Sequence, residues 1–147
     1  MKTIILKNEY LKHKIYTINA TGYFLGRLIT IISQLVKGKI LNLYTNTLLP
    51  KIYIIVYNIK HILISGKKSF QKLYYFSSQR PGNLKKKTYN QLFLYSPYKI
   101  LKYSILKMLT KNKLKKKFLN YIYLYSKNLS KIFINHKNIN FLKLKYA

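Results

Sequence analysis

The chain is 147 residues long and sets 29 Lys and Arg against one acidic residue, Glu9, for a formal net charge of +28. That balance excludes an enzyme built on carboxylates, and a surface of one sign calls for a polyanion to neutralise it, nucleic acid first. Hydrophobic residues make up 49% of the chain, with 16 Tyr and 7 Phe, which supplies one core and excludes a disordered basic tail as the whole protein.

Tyr16-Thr17-Ile18 is a β-prone run, ended by the turn chemistry of Asn19-Ala20-Thr21-Gly22. A helix is predicted next, because Leu25, Leu28, Ile29, Ile32, Leu35 and Val36 share one helical face, with Gly38 as its C-terminal cap. Residues 39–50 read as an irregular polar connection. Tyr53-Ile54-Ile55-Val56-Tyr57 is apolar without alternation, the pattern of a strand covered on both faces in a parallel sheet. His61-Ile62-Leu63-Ile64-Ser65, closed by Gly66, and Lys72-Leu73-Tyr74-Tyr75-Phe76 are two further expected strands. Residues 77–87 read as a basic loop carrying Arg80-Pro81-Gly82-Asn83 and Lys85-Lys86-Lys87.

Thr88 is a fitting N-cap for a helix through Tyr95, and Ser96-Pro97 opens a second helix whose Ile100, Leu101, Ser104, Ile105, Met108 and Leu109 share a face. The densest charge cluster follows at 111–117. Tyr121-Ile122-Tyr123-Leu124-Tyr125 is expected as the last strand, and 127–147 as a basic tail. Strands interleaved with helices predict an α/β domain with a mainly parallel sheet, spanning 1–126. Without cysteine the chain has no disulfide framework and no thiolate site. Its longest apolar stretches, 28–36 and 52–59, are interrupted and shorter than the ~18 residues of a spanning helix, so no membrane segment is expected.

Residues 18–28, Ile-Asn-Ala-Thr-Gly-Tyr-Phe-Leu-Gly-Arg-Leu, resemble the D-A-x-G-x-x-L-G-R-L opening signature of the bacterial-type ribosomal protein L13 family (universal uL13), with Asn19 at the aspartate position. The similarity continues in order through Gly38-Lys39, Tyr44-Thr45, Tyr53-Ile54-Ile55-Val56 with Asn58, and Lys72-Leu73-Tyr74-Tyr75. Ser65-Gly66-Lys67-Lys68 stands at a T-G-x-K turn, Arg80-Pro81-Gly82 with Leu84-Lys85 at a Gly-rich loop, Lys107-Met108-Leu109 at a K-G-M-L-P segment, and Tyr125 in the closing strand. There are departures. Thr110, Asn112, Lys113 and Lys115 replace the family's proline and glycines, Phe76 and Ser77 replace histidines, and Ile52 and Lys60 replace aspartates.

The resemblance implies a three-layer α/β/α fold, no catalysis and no cofactor. It implies a partner in large-subunit ribosomal RNA, held through phosphate contacts and shape during assembly, and neighbouring large-subunit ribosomal proteins as further partners. Neither a membrane nor a small-molecule substrate is implied.

The cations expected on RNA are Arg27, Lys37, Lys39, Lys67, Lys68, Arg80, Lys85, Lys86, Lys87, Lys111, Lys113, Lys115, Lys116 and Lys117. A solvated surface is the competing reading of such clusters, and the net charge argues against it. Arg27 either meets RNA or braces its own loop. Lysine outnumbers arginine, whose only positions are Arg27 and Arg80, so the surface suits phosphates better than base edges. Tyr44 and Tyr98 are candidate stacking residues, whereas Tyr53, Tyr74 and Tyr123 are expected in the core. His13, His61 and His136 are too far apart for a local metal motif, and Ser65-Gly66-Lys67-Lys68 lacks the spacing of a nucleotide loop.

Two other classes stay open on composition. One is a nucleoid-type DNA-binding protein; the other is a cationic membrane-surface protein using the helix from Leu25. Abundant Lys, Ile, Asn, Tyr and Phe have A/T-rich codons, and the resemblance begins essentially at Met1 with no presequence expected. Both point to an organelle, plastid-type first and mitochondrion second, or to a reduced A/T-rich bacterium.

Overall fold

An apolar run without alternation must be covered on both faces, and the segment Ile52–Tyr57 obtains that cover as the inner strand β2 of a parallel sheet. The structure is a computed structural model; it describes residues 13–42, 44–46, 49–127 and 139–142. Glu9, His136 and most of the segment expected as a tail lie outside the described residues.

Strand β1, Lys14–Asn19, pairs in parallel with β2 from Lys14↔Ile52 to Asn19↔Tyr57. Between them runs α1, Leu25–Val36, whose Leu25, Leu28, Ile29, Ile32, Leu35 and Val36 are all buried. The 3.6-residue periodicity of the sequence is therefore the stripe that packs on the sheet. Its end is a Schellman motif: the Gly38 N–H donates to the Leu35 carbonyl at 2.9 Å and the Lys39 N–H to the Gln34 carbonyl at 3.0 Å. Gly38 stands at φ +74°, a left-handed conformation that glycine adopts without strain.

Beyond β2 the chain turns at Asn58, which is left-handed at φ 59°, into a 3₁₀ turn at Ile59–His61. The strand expected over 61–65 does not form. Leu63 makes one parallel bridge with Phe24, and Asn58 has already steered the chain off the sheet. A four-residue helix not foreseen from the sequence, α2 at Lys68–Gln71, leads into β3, Leu73–Ser77.

The expected basic loop is instead half of a hairpin. Leu84–Thr88 forms β4, antiparallel to β3 from Leu73↔Thr88 to Ser77↔Leu84, so Lys85, Lys86 and Lys87 are strand residues. Thr88 ends the hairpin and caps α3, Tyr89–Tyr95, in a reciprocal capping box with Gln91. Ser96 and Pro97 open α4, Pro97–Met108, but the Ser96 hydroxyl is buried without a hydrogen bond and does not cap. Ile100, Leu101, Ile105 and Leu109 are buried as the pattern predicted, whereas Met108 is exposed.

The cluster at 111–117 winds into α5, Leu114–Asn120, anchored by buried Phe118. Strand β5, Ile122–Leu124, then pairs in parallel with β2. It is not the last strand. Inside the segment expected as a basic tail, Ile139–Leu142 forms β6 and pairs in parallel with β1. Among the described residues the sheet order is β5-β2-β1-β6, all parallel, and the flanking helices complete the three-layer α/β/α fold.

At the carboxyl ends of β1 and β2, the side-chain oxygen of Asn19 accepts from the Thr21 N–H at 3.2 Å, the Thr21 hydroxyl at 2.8 Å and the Asn58 amide at 3.1 Å. One neutral acceptor thus performs the turn-closing role of an aspartate. Asn19→Ala removes it and is expected to cost about 1–2 kcal/mol, read as a lower urea midpoint at unchanged m-value.

Candidate nucleic-acid interface

None of the expected cations is buried. They stand at element ends, along the hairpin and on α5, with Lys37 and Lys115 half-buried and the others exposed. The described residues contain no Asp or Glu, because the only acidic side chain in the chain is Glu9. A lysine side chain here has water, an aromatic face, a hydroxyl or a backbone carbonyl to turn to, and no carboxylate side chain among the described residues offsets the positive potential.

Three groups emerge. In the first, the end of α1 meets the connection between α4 and α5 around a cleft of about 270 Å³ lined by Lys37, Lys39, Tyr44, Asn46, Thr110 and Asn112. Residues about seventy positions apart in sequence are joined here. The Lys37 ammonium donates to the Met108 carbonyl at 3.4 Å, and the Tyr44 hydroxyl donates to the Asn46 side chain. Tyr44 is exposed, as a stacking residue has to be.

The second group surrounds the start of α1. Arg27 and Lys68 come together on a groove of about 510 Å³, with Lys72 and Lys107 beside them. The Arg27 guanidinium lies 5.9 Å from the centroid of the Phe24 ring, so it braces the helix entry while also lining the groove. The Lys68 ammonium reaches the Ser65 hydroxyl at 3.4 Å across the turn of Gly66, itself at φ +64°. Lys67 is exposed at the same turn.

The third group is the hairpin. Cross-strand partners share a face, so Lys86 stands with Tyr75 while Lys85 and Lys87 stand with Phe76 and Tyr74. Tyr74 is buried and Phe76 packs edge-on against Tyr103 of α4, which turns these β3 side chains toward the body, while Lys85 and Lys87 themselves stay exposed. The opposite face presents Tyr75, 57% exposed, with the Lys86 ammonium 5.9 Å from its ring centroid. Tyr95, 73% exposed, has Lys87 at 5.6 Å and Lys99 at 4.8 Å from its ring centroid. Arg80 occupies the tip, where the Asn83 N–H donates to its carbonyl at 3.3 Å. Burial pushes the phenols of Tyr74 and Tyr89 above their ordinary range, so both stay neutral beside the hairpin's lysines.

Sequence reasoning missed Tyr75, Tyr95, Lys72, Lys99 and Lys107. Strand parity would have exposed Tyr75 once 84–88 was read as a partner strand; nothing local distinguishes the others. Tyr98 is exposed as expected. Of the tyrosines expected in the core only Tyr74 is buried; Tyr53 is half-buried and packs edge-on against Tyr121, and Tyr123 is 45% exposed on β5, an outer strand of the described sheet.

Residues 13–130, which carry the helix entry, the Gly66 turn and the hairpin, match a family model, "Ribosomal protein L13". The chain belongs to the ribosomal protein L13 family. Among similar curated proteins, the large ribosomal subunit protein uL13 of Chloroflexus aggregans is 35% identical over 126 residues, covering 86% of this chain and 88% of that one. Its counterpart in Thermotoga maritima is 35% identical over 125 residues, covering 85% and 84%, and that of Aquifex aeolicus is 34% identical over 125 residues, covering 85% and 87%. These L13 relatives are bacterial, in keeping with the bacterial-type signature at 18–28. Among the described residues, no group of three metal-ligating side chains is assembled and no helix is long and apolar enough to cross a membrane.

Proposed function

We propose that the chain is a structural constituent of the large ribosomal subunit that binds and organises large-subunit RNA during assembly and so supports translation. The carrying observation is that an L13-family domain displays its cations in three outward groups with no described carboxylate to neutralise them. The residues expected to meet RNA are those three groups together with the remaining lysines of 111–117. Lysine ammonium groups take phosphates as point charges and fix register without reading sequence. Neighbouring large-subunit proteins are the further partners.

The membrane-surface alternative is disfavoured because the apolar stripe of α1 is buried in the core and cannot face lipid. Sedimentation decides the rest. Tagged protein is expected to travel with large subunits after a high-salt wash, and large-subunit RNA to outcompete duplex DNA for the purified chain. Recovery only in free or membrane fractions would sink the reading. Composition further supports an organelle-encoded protein, plastid-type first and mitochondrion second, with an A/T-rich reduced bacterium as the remaining home; organelle fractionation discriminates among them.

A further inference from the structure

Gly26 has no internal reason to be glycine. It is the second residue of α1, where glycine is less stable than alanine, and its backbone is not left-handed. A Cβ built on it meets nothing within 4 Å. Glycine is also used where something from outside approaches a backbone closely, and the space in front of Gly26 is the groove of about 510 Å³. Phe24, Ile64 and Met108 give that groove an apolar wall, with Phe24 and Met108 both exposed to solvent. Arg27, Lys68, Lys72 and Lys107 form a cationic rim. The Gly26 N–H belongs to the first helical turn, where the Leu25 N–H donates to the Leu63 carbonyl at 2.9 Å; Phe24 supplies no side-chain cap and no acidic residue stands in that turn.

We propose that this groove holds one unpaired nucleotide of large-subunit RNA, its base on the Phe24, Ile64 and Met108 wall and its phosphate over Gly26 and the rim cations. This rests on the RNA-binding reading above and adds where a single base is held. The volume falls within the ~300–1,000 Å³ of sites that enclose small ligands. A flat apolar body carrying an anion is what a wall and rim of this kind complement, and one nucleotide has both. A duplex keeps its bases stacked and cannot insert one, whereas an extruded base exposes its face.

The test uses large subunits carrying wild-type or Gly26→Leu protein, with the RNA probed by base-reactive chemical modification. Because the added side chain enters open space, the variant is expected to fold and to assemble. One or two unpaired nucleotides protected by the wild type should become reactive, the remaining protections should persist, and binding of purified protein to large-subunit RNA should weaken about tenfold, the scale of one lost stacking contact. Should Gly26→Leu fail to assemble, the Lys72→Gln/Lys107→Gln double variant must expose one or two unpaired nucleotides that the wild type protects, the remaining protections persisting. An unchanged protection map in the assembling variant, or a photo-crosslink from the groove to a neighbouring protein in place of RNA, overturns the proposal and leaves the RNA reading standing. A wild-type chain that binds no large-subunit RNA overturns both.

Discussion

Replacing Lys85, Lys86 and Lys87 together by Gln should weaken binding to large-subunit RNA and flatten its salt dependence by about two to three units of log K per log salt, from ~0.7–0.9 unit per phosphate contact. Between 50 and 200 mM salt, the wild type should then lose about 20- to 40-fold more affinity than the variant. The expectation follows from geometry as well as charge. All three lysines are exposed on β4, and the net charge of +28 leaves them no carboxylate side chain among the described residues to pair with. Their contribution to folding is small, because the ladder bonds of β4 come from the backbone and exposed strand positions tolerate glutamine within about 0.5 kcal/mol. A loss of affinity without loss of stability is therefore the expected pair of results. The Lys→Arg triple variant should keep the slope, since it keeps the charges. An unchanged salt slope in the glutamine variant would make the hairpin a solvated face.

That prediction depends on a strand the sequence does not announce, and the reason is physical. β2 was legible because an inner parallel strand is buried on both sides, so its apolar residues run consecutively. Likewise α1 was legible because one face meets the core and the period survives intact from Leu25 to Val36. β4 has neither signal. Leu-Lys-Lys-Lys-Thr is almost wholly exposed, and its pairing follows from Tyr74 and Phe76 of β3 anchoring the hairpin on α3 and α4. Exposed lysines on such a strand also discourage edge-to-edge association, so the residues that hide the strand from sequence reading suit its position. β6 was obscured differently: Ile-Asn-Phe-Leu is β-prone, but it sits among lysine and asparagine residues that read as tail. The interface shows the same division. Its charge could be read directly, whereas the meeting of Lys37 with Asn112, or of Arg27 with Lys107, is a product of how α1, α4 and α5 pack and leaves no trace in spacing.

Gly38→Ala should lose about 2–4 kcal/mol of stability, combining left-handed strain with overpacking. Two causes act at one atom. At φ +74° any side chain is strained, and the added Cβ would stand 2.9 Å from Cγ and 3.0 Å from Cβ of Pro50, which is buried and belongs to the approach to β2. Neither partner yields easily: Gly38 is held by the two hydrogen bonds that close α1, and a proline ring has little freedom to move. Gly82 supplies the internal control. It has nearly the same backbone angle, φ +76°, with nothing within 4 Å of a built Cβ, so Gly82→Ala should lose only about 1 kcal/mol. Urea unfolding in buffer of high ionic strength, where lysine repulsion is screened, compares the two. If Pro50 is the obstacle, Pro50→Ala should restore part of the stability of Gly38→Ala in a double-mutant cycle, and additivity would show that the contact is immaterial. Because Gly38 lies between Lys37 and Lys39, which line the cleft, a shift here also moves that cationic pair. Gly38→Ala should therefore weaken RNA binding even at temperatures where the chain remains folded, while Gly82→Ala leaves that cleft intact.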